Sequence, residues 1–111
     1  MSQYVASYVG VHADTDYGEG WVVFRWPHER YGYEELMIDL DGHCYRRMPI
    51  YSGRGLLKFV ELRRDGIRIS FDPVLAQKLG LEEEIEILFH LPDAEFVELR
   101  RVVDYFEGAE S

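Results

Sequence analysis

Residues Ile67 to Phe106 constrain this chain more than any other stretch, because four elements follow one another there with their own start and stop signals. Ile67, Ile69 and Phe71 alternate with Arg68 and Ser70, the period of a half-buried strand. Asp72-Pro73 then opens a helix: the aspartate can cap free amides, and proline fits a first helical position where no N–H is needed. Val74, Leu75, Leu79 and Leu81 supply its apolar side, and Gly80 sits where a helix ends in the left-handed conformation. Ile85, Ile87 and Phe89 alternate with Glu84, Glu86 and Leu88, which predicts another strand. After Pro92-Asp93, Phe96, Leu99, Val103 and Phe106 fall at helical spacing with charges opposite. Gly108 is expected to end that helix, leaving a short frayed tail.

Upstream, the reading is mostly strand. Gln3–Ala13 predicts one long strand with Val5, Val9 and Val11 on one face and Tyr4, Tyr8 and His12 on the other. Asp14–Gly20 is a polar, glycine-bearing loop. Trp21–Trp26 is a second strand, paired with the first as a hairpin and stopped by Pro27. Leu36–Leu40 is a third, turned by Asp41-Gly42, a strong hairpin signal. His43–Tyr51 holds Pro49 and is therefore an edge strand or irregular, and Ser52–Gly55 breaks it. Leu56–Arg64 is apolar on both faces, so central or bulged, and Arg64-Asp65-Gly66 turns it back into Ile67–Phe71.

The expectation is an α+β fold over one domain, residues 1–111. It has a mostly antiparallel sheet of six to seven strands, a short crossover helix that could set a parallel pair, and a C-terminal helix packed on one face. A chain of 111 residues with 47% hydrophobic content can bury about two thirds of its unfolded surface. It holds no apolar run of about 18 residues and no signal-peptide pattern, so a cytoplasmic location is expected. The single cysteine, Cys44, excludes an internal disulfide framework and fits a reducing compartment.

Chemistry-bearing motifs are absent. His12, His28, His43 and His90 fall at no metal-ligand spacing, and His43-Cys44 point to opposite faces of a strand. Cys44 lacks a marked base, and there is no nucleophile elbow, phosphate loop or dinucleotide fingerprint. Asp14, Asp16 and Glu19 lack the full ligand ladder of a calcium loop. No catalytic residue, metal or cofactor is therefore expected.

Charge is more informative. The net charge is −9, split as −6 over residues 1–42, +5 over 43–71 and −8 over 72–111. Bulk nucleic-acid binding is disfavoured, since it needs cations to displace counterions. Attraction to a basic protein is favoured. The residues expected to supply it are Asp14, Asp16 and Glu19 in the first loop and Glu82, Glu83, Glu84 and Glu86 at the second. Arg46, Arg47, Arg54, Arg63, Arg64 and Arg68 form the basic middle, either as solvated strand edges or as a phosphate-binding patch. Tyr31 and Tyr33, in a glycine-bearing connector, are the aromatics expected to be exposed.

Two resemblances follow. Ile69–Ile87 looks like the strand, Pro-led helix, LGL and strand of swapped-hairpin DNA-binding regulators and antitoxins. Over most of its length the chain resembles the immunity protein 10 family of bacterial polymorphic-toxin systems. That likeness is carried by the VASYVGVHAD strand, Tyr51-Ser52-Gly53, the hairpin at Arg64-Asp65-Gly66, LAQKLGL, EIEILF and the closing FVELRRVVDYF helix. It implies a non-enzymatic protein that binds and neutralises a cognate toxin, which the acidic ends would suit if the toxin is basic. The first resemblance implies a small nucleic-acid-associated regulator using the basic middle.

Overall fold

The computed structural model describes residues 2–14, 19–47, 51–54 and 57–110. Among them, nine strands form two sheets. The strands are β1 (Ser2–Val5), β2 (Tyr8–Asp14), β3 (Glu19–His28), β4 (Gly32–Asp39), β5 (His43–Arg47), β6 (Tyr51–Arg54), β7 (Leu57–Arg63), β8 (Gly66–Phe71) and β9 (Glu84–Leu88); the helices are α1 (Pro73–Leu79) and α2 (Asp93–Glu110). One sheet has the order β1-β9-β8-β7 and the other β2-β3-β4-β5-β6. The α+β class agrees with the sequence, but the expected single sheet of six to seven strands is two sheets.

The division begins at Ala6-Ser7, inside the run expected to be one strand. The Ala6 amide donates to the Leu88 carbonyl at 2.8 Å, whereas the Ser7 amide donates to the Arg25 carbonyl at 2.8 Å. Successive amides thus serve different sheets. β1 pairs in parallel with β9, and β2 pairs antiparallel with β3. The switch also inverts the side-chain alternation. Tyr4 points inward and stacks on Trp26 at 4.3 Å, while Val5 is 63% exposed. Past the switch Val9 and Val11 pack against the core, and Tyr8 and His12 are exposed. Val5, Val9 and Val11 therefore do not share a face.

α1 is built as its residues predict. The Asp72 carboxylate accepts from the Val74 amide, Pro73 opens the helix, and Gly80 closes it at φ +66° with amides of Gly80 and Leu81 returning to Gln77 and Ala76. It does not set a parallel pair. Its seven residues span about 10 Å, half the ~20 Å of a six-residue strand. The chain re-enters the sheet beside the end of β8, where the Phe71 amide donates to the Glu83 carbonyl at 2.7 Å, so β9 runs back antiparallel, with Ile69 opposite Ile85. The parallel pair is β1 with β9.

Other departures have local causes. Pro27 does not stop β3, which continues to His28, because β2 ends opposite Arg25 and no neighbour on that side needs the missing N–H. Ser52-Gly53 is not a break but part of edge strand β6. A Cβ on Gly53 would lie 3.1–3.2 Å from side-chain atoms of Lys78 and Leu75, so the glycine lets α1 approach the strand. β7 is an edge strand with a register shift between Leu57 and Phe59, which turns both Leu57 and Val60 inward. α2 runs through Gly108 to Glu110. The turns at Asp41-Gly42 and Arg64-Asp65 join antiparallel neighbours as expected. Pro49 and Asp16 lie outside the described residues.

Both sheets contribute to one apolar core. Phe24, Leu36 and Ile38 of one meet Ile69, Phe71, Ile85 and Ile87 of the other, with Leu75 and Leu79 from α1 and Leu99, Val102, Val103 and Phe106 from α2. α2 lies against β2, β3 and β7, and α1 against β5 and β6. No described helix is long and apolar enough to cross a membrane.

Candidate partner-binding surface

Strand alternation leaves each sheet with an outer face, and the two faces differ chemically. On the five-stranded sheet the outward residues form rows set by register. His12 faces Trp21, which faces Asp39; next come Gly10, Val23, Met37 and Tyr45; then Tyr8, Arg25, Glu35 and Arg47. Asp14 and Glu19 face each other at the hairpin end. The side chains are mutually ordered. Arg25 donates through Nη2 and Nε to Glu35 Oε1 at 2.8 and 3.2 Å, and Arg47 Nε lies 3.7 Å from Glu35 Oε2. The Arg25 guanidinium sits between the Tyr8 and Tyr33 rings, 5.1 and 4.7 Å from their centroids. Gly10 makes room for this arrangement: a Cβ there would meet Tyr8 Oη at 2.7 Å and Val23 Cγ1 at 3.0 Å. His43 stacks on Tyr45 at 4.4 Å, and the His12 and Trp21 rings are 6.0 Å apart. At the acidic end, partial burial, reinforced by Asp41, raises the Asp39 carboxyl above its ordinary value.

The outer face of the four-stranded sheet is a set of closed ion pairs. Glu86, only 8% exposed, accepts from Gln3 Nε2 at 3.0 Å and lies 3.3 Å from Arg63. Glu84 lies 3.5 Å from Arg68. Glu82 and Glu83, on the approach to β9, are exposed; a hydrogen bond with Ser2 lowers the Glu82 carboxyl below its ordinary value. The two acidic groups singled out in the sequence therefore sit on different sheets. Asp14 and Glu19 are brought together, whereas Glu84 and Glu86 are interleaved with arginines.

Those arginines belong to the basic middle, and its other described arginines are engaged too. Arg64 pairs with Asp93 at 2.7 Å and Arg47 with Glu35. Arg46 turns inward. Its Nε and Nη2 donate to Glu34 Oε1, its Nη1 reaches the Leu79 and Gly80 carbonyls at the end of α1, and the other Glu34 oxygen accepts from the Trp26 indole at 2.8 Å. Five of the six arginines thus pair with carboxylates (the Arg54 side chain lies outside the description). Cys44 is buried, which pushes its thiol up to about 12, so no nucleophile forms near neutral pH. Among the described residues no group of acidic, histidine and cysteine side chains is placed to hold a metal ion.

A model of the family described as immunity protein 10 matches residues 3–97. The chain belongs to the immunity protein 10 family. The match takes in both sheets, α1 and the start of α2, so both outer faces lie within the family region. Membership makes this an immunity protein of a bacterial polymorphic-toxin system, a class that is typically non-enzymatic and implies a cognate toxin as partner. No curated protein and no solved structure matches the chain. Within this immunity protein, exposed Tyr31 and Tyr33 agree with the sequence. Tyr8, Arg25 and Tyr45 on the same sheet face escape sequence reasoning. Only the register of the hairpins could have revealed them.

Proposed function

We propose that this immunity protein neutralises a cognate toxin with a basic surface by direct protein–protein contact, acting as one cytoplasmic domain over residues 1–111. The observation that carries the basic partner is the fate of the charges. Five of the six arginines of the middle segment pair with internal carboxylates, and the surplus that gives −9 is acid, much of it at the surface, as at Asp14, Glu19, Glu82 and Glu83. Asp16 adds to the first group, while Glu84 and Glu86 contribute only what Arg68 and Arg63 leave uncompensated. Such charge acts mainly on association rate and partner choice. The same pairing weakens the nucleic-acid reading, which needs free cations for phosphates. A single buried cysteine suits a reducing compartment.

The test uses the toxin encoded by the neighbouring gene, in an inactivated form. A stoichiometric complex is expected, with an association rate that falls steeply as salt rises from about 50 to 200 mM. Reversing Asp14, Glu19, Glu82 and Glu83 together should slow association by at least about tenfold at low salt. An association rate indifferent to salt removes the basic partner; absence of a complex removes neutralisation by contact.

A further inference from the structure

We propose that the toxin docks on the outer face of the five-stranded sheet, placing lysine or arginine side chains over Trp21 and against Asp14, Glu19 and Asp39, and an apolar side chain over Met37 and Tyr45. This rests on the reading of a basic toxin and assigns its site.

The solvent-facing side of an antiparallel sheet is ordinarily polar. The centre of the four-stranded sheet obeys, with Arg68, Glu84 and Glu86 outward, and its exposed apolar residues, Val5 and Phe59, are confined to the edge strands β1 and β7. The five-stranded sheet does not: half-buried Trp21, Met37 and Tyr45 run across its middle strands, with Val23 buried among them. Both helices join the core with inward-facing residues, leaving this apolar band with no element over it among the described residues. Trp, Tyr, Arg and Met are the types enriched where protein partners bind most strongly.

Order and size agree. Glu35 holds both Arg25 and Arg47, and Tyr8 and Tyr33 flank Arg25, so these side chains lose little freedom on binding. Five strands about 4.8 Å apart and about seven residues long give roughly 570 Å² in projection. With side-chain relief that approaches the ~800 Å² each partner buries in a standard interface.

Charge selects the occupant. Asp14, Glu19 and Asp39 gather at one end, where the half-buried Asp39 lies near both Asp41 and His43, and three carboxylates are in place to meet an arriving cation. The Trp21 ring beside them suits the same cation. The opposite end holds Arg47 at its edge, so the face is polar along the strands and fixes the orientation of its partner.

The full chain and the inactivated toxin of the neighbouring gene test this by titration calorimetry and binding kinetics. A Trp21→Ala/Tyr45→Ala variant should weaken binding by about 30-fold or more. An Asp14→Asn/Glu19→Gln variant should slow association about tenfold and flatten its salt dependence. A Phe59→Ser variant, at the exposed ring on the other sheet, should change affinity by less than about threefold. Melting curves check folding, and if the aromatic variant does not fold, the near-isosteric carboxamide variant decides. Wild-type-like binding by the first two variants overturns the docking face while leaving neutralisation intact. Failure of the wild type to bind overturns the function and this assignment with it.

Discussion

On the four-stranded sheet each outward arginine, Arg63 of edge strand β7 and Arg68 of β8, has a glutamate within reach, and Gln3 completes the Arg63–Glu86 pair. On the five-stranded sheet the outward arginines crowd onto one carboxylate, Glu35, and the space beyond them is filled by rings and Met37. The inward residues of both sheets are the same apolar kind and share one core. What separates the sheets is therefore what their outer faces leave unsatisfied. One closes its charges on itself. The other separates acid from apolar surface along the strands, and separated chemistry is what a partner can complete.

The comparison breaks most completely if the sheets lose their common support. α2 touches β2 and β3 of one and β7 of the other, so it ties them together. Burial of Leu99, Val102, Val103 and Phe106 contributes roughly 1.5–3 kcal/mol each, about 6–12 kcal/mol gross. That is comparable with the ~5–15 kcal/mol that stabilises a whole domain. Removing the chain from Asp93 onward should abolish cooperative thermal unfolding and the near-ultraviolet dichroism of the tryptophans. A truncated chain that melts cooperatively would show that the sheets hold each other without the helix.

The elements behind that tie were mostly legible because their signals are local. Asp72-Pro73, Gly80 and the stripe of α2 each specify a boundary or a face within a few residues, and the helices follow them. The assignment of strands to sheets was not legible, because it turns on Ala6-Ser7, where two neighbouring amides choose different partners and no glycine or proline marks the change. Alternation predicts faces within a strand but is silent when the parity flips between strands. The candidate site was half legible. Asp14 and Glu19 stood out by charge, but the rings that share their face are separated by up to 37 positions in sequence, from Tyr8 to Tyr45. One part of it is written in the sequence: a hairpin centred on Asp41-Gly42 brings the Glu34-Glu35 and Arg46-Arg47 pairs together, one of each inward and one outward.

Those two glutamates sharpen the comparison within a single strand. Glu34 points inward to Arg46, whose side chain is 14% exposed, and to the Trp26 indole; Glu35 points outward to Arg25 and Arg47, 39% and 63% exposed. Glu34→Ala strands a largely buried guanidinium without its carboxylate and should cost about 3–5 kcal/mol in urea unfolding. Glu35→Ala lets two accessible guanidiniums turn to water and should cost about 1 kcal/mol. Equal costs would mean that inward and outward charge are not distinguished by burial in this fold.

The smallest expected effect lies on the closed face. Arg68 stands 3.5 Å from Glu84, its side chain is 35% exposed, and its buried Nε has no hydrogen-bond partner among the described residues. An ion pair in that setting contributes about 0–1 kcal/mol, and the unsatisfied Nε opposes even that. Arg68→Met keeps the apolar stem across β8 and removes both the charge and the unsatisfied nitrogen. The expected change in unfolding free energy is therefore within about 1 kcal/mol of zero, measured by urea denaturation at low and high salt. A loss above about 2 kcal/mol would give the paired face a structural role beyond mutual neutralisation, and the contrast between the two sheets would then be one of stability as well as of recognition.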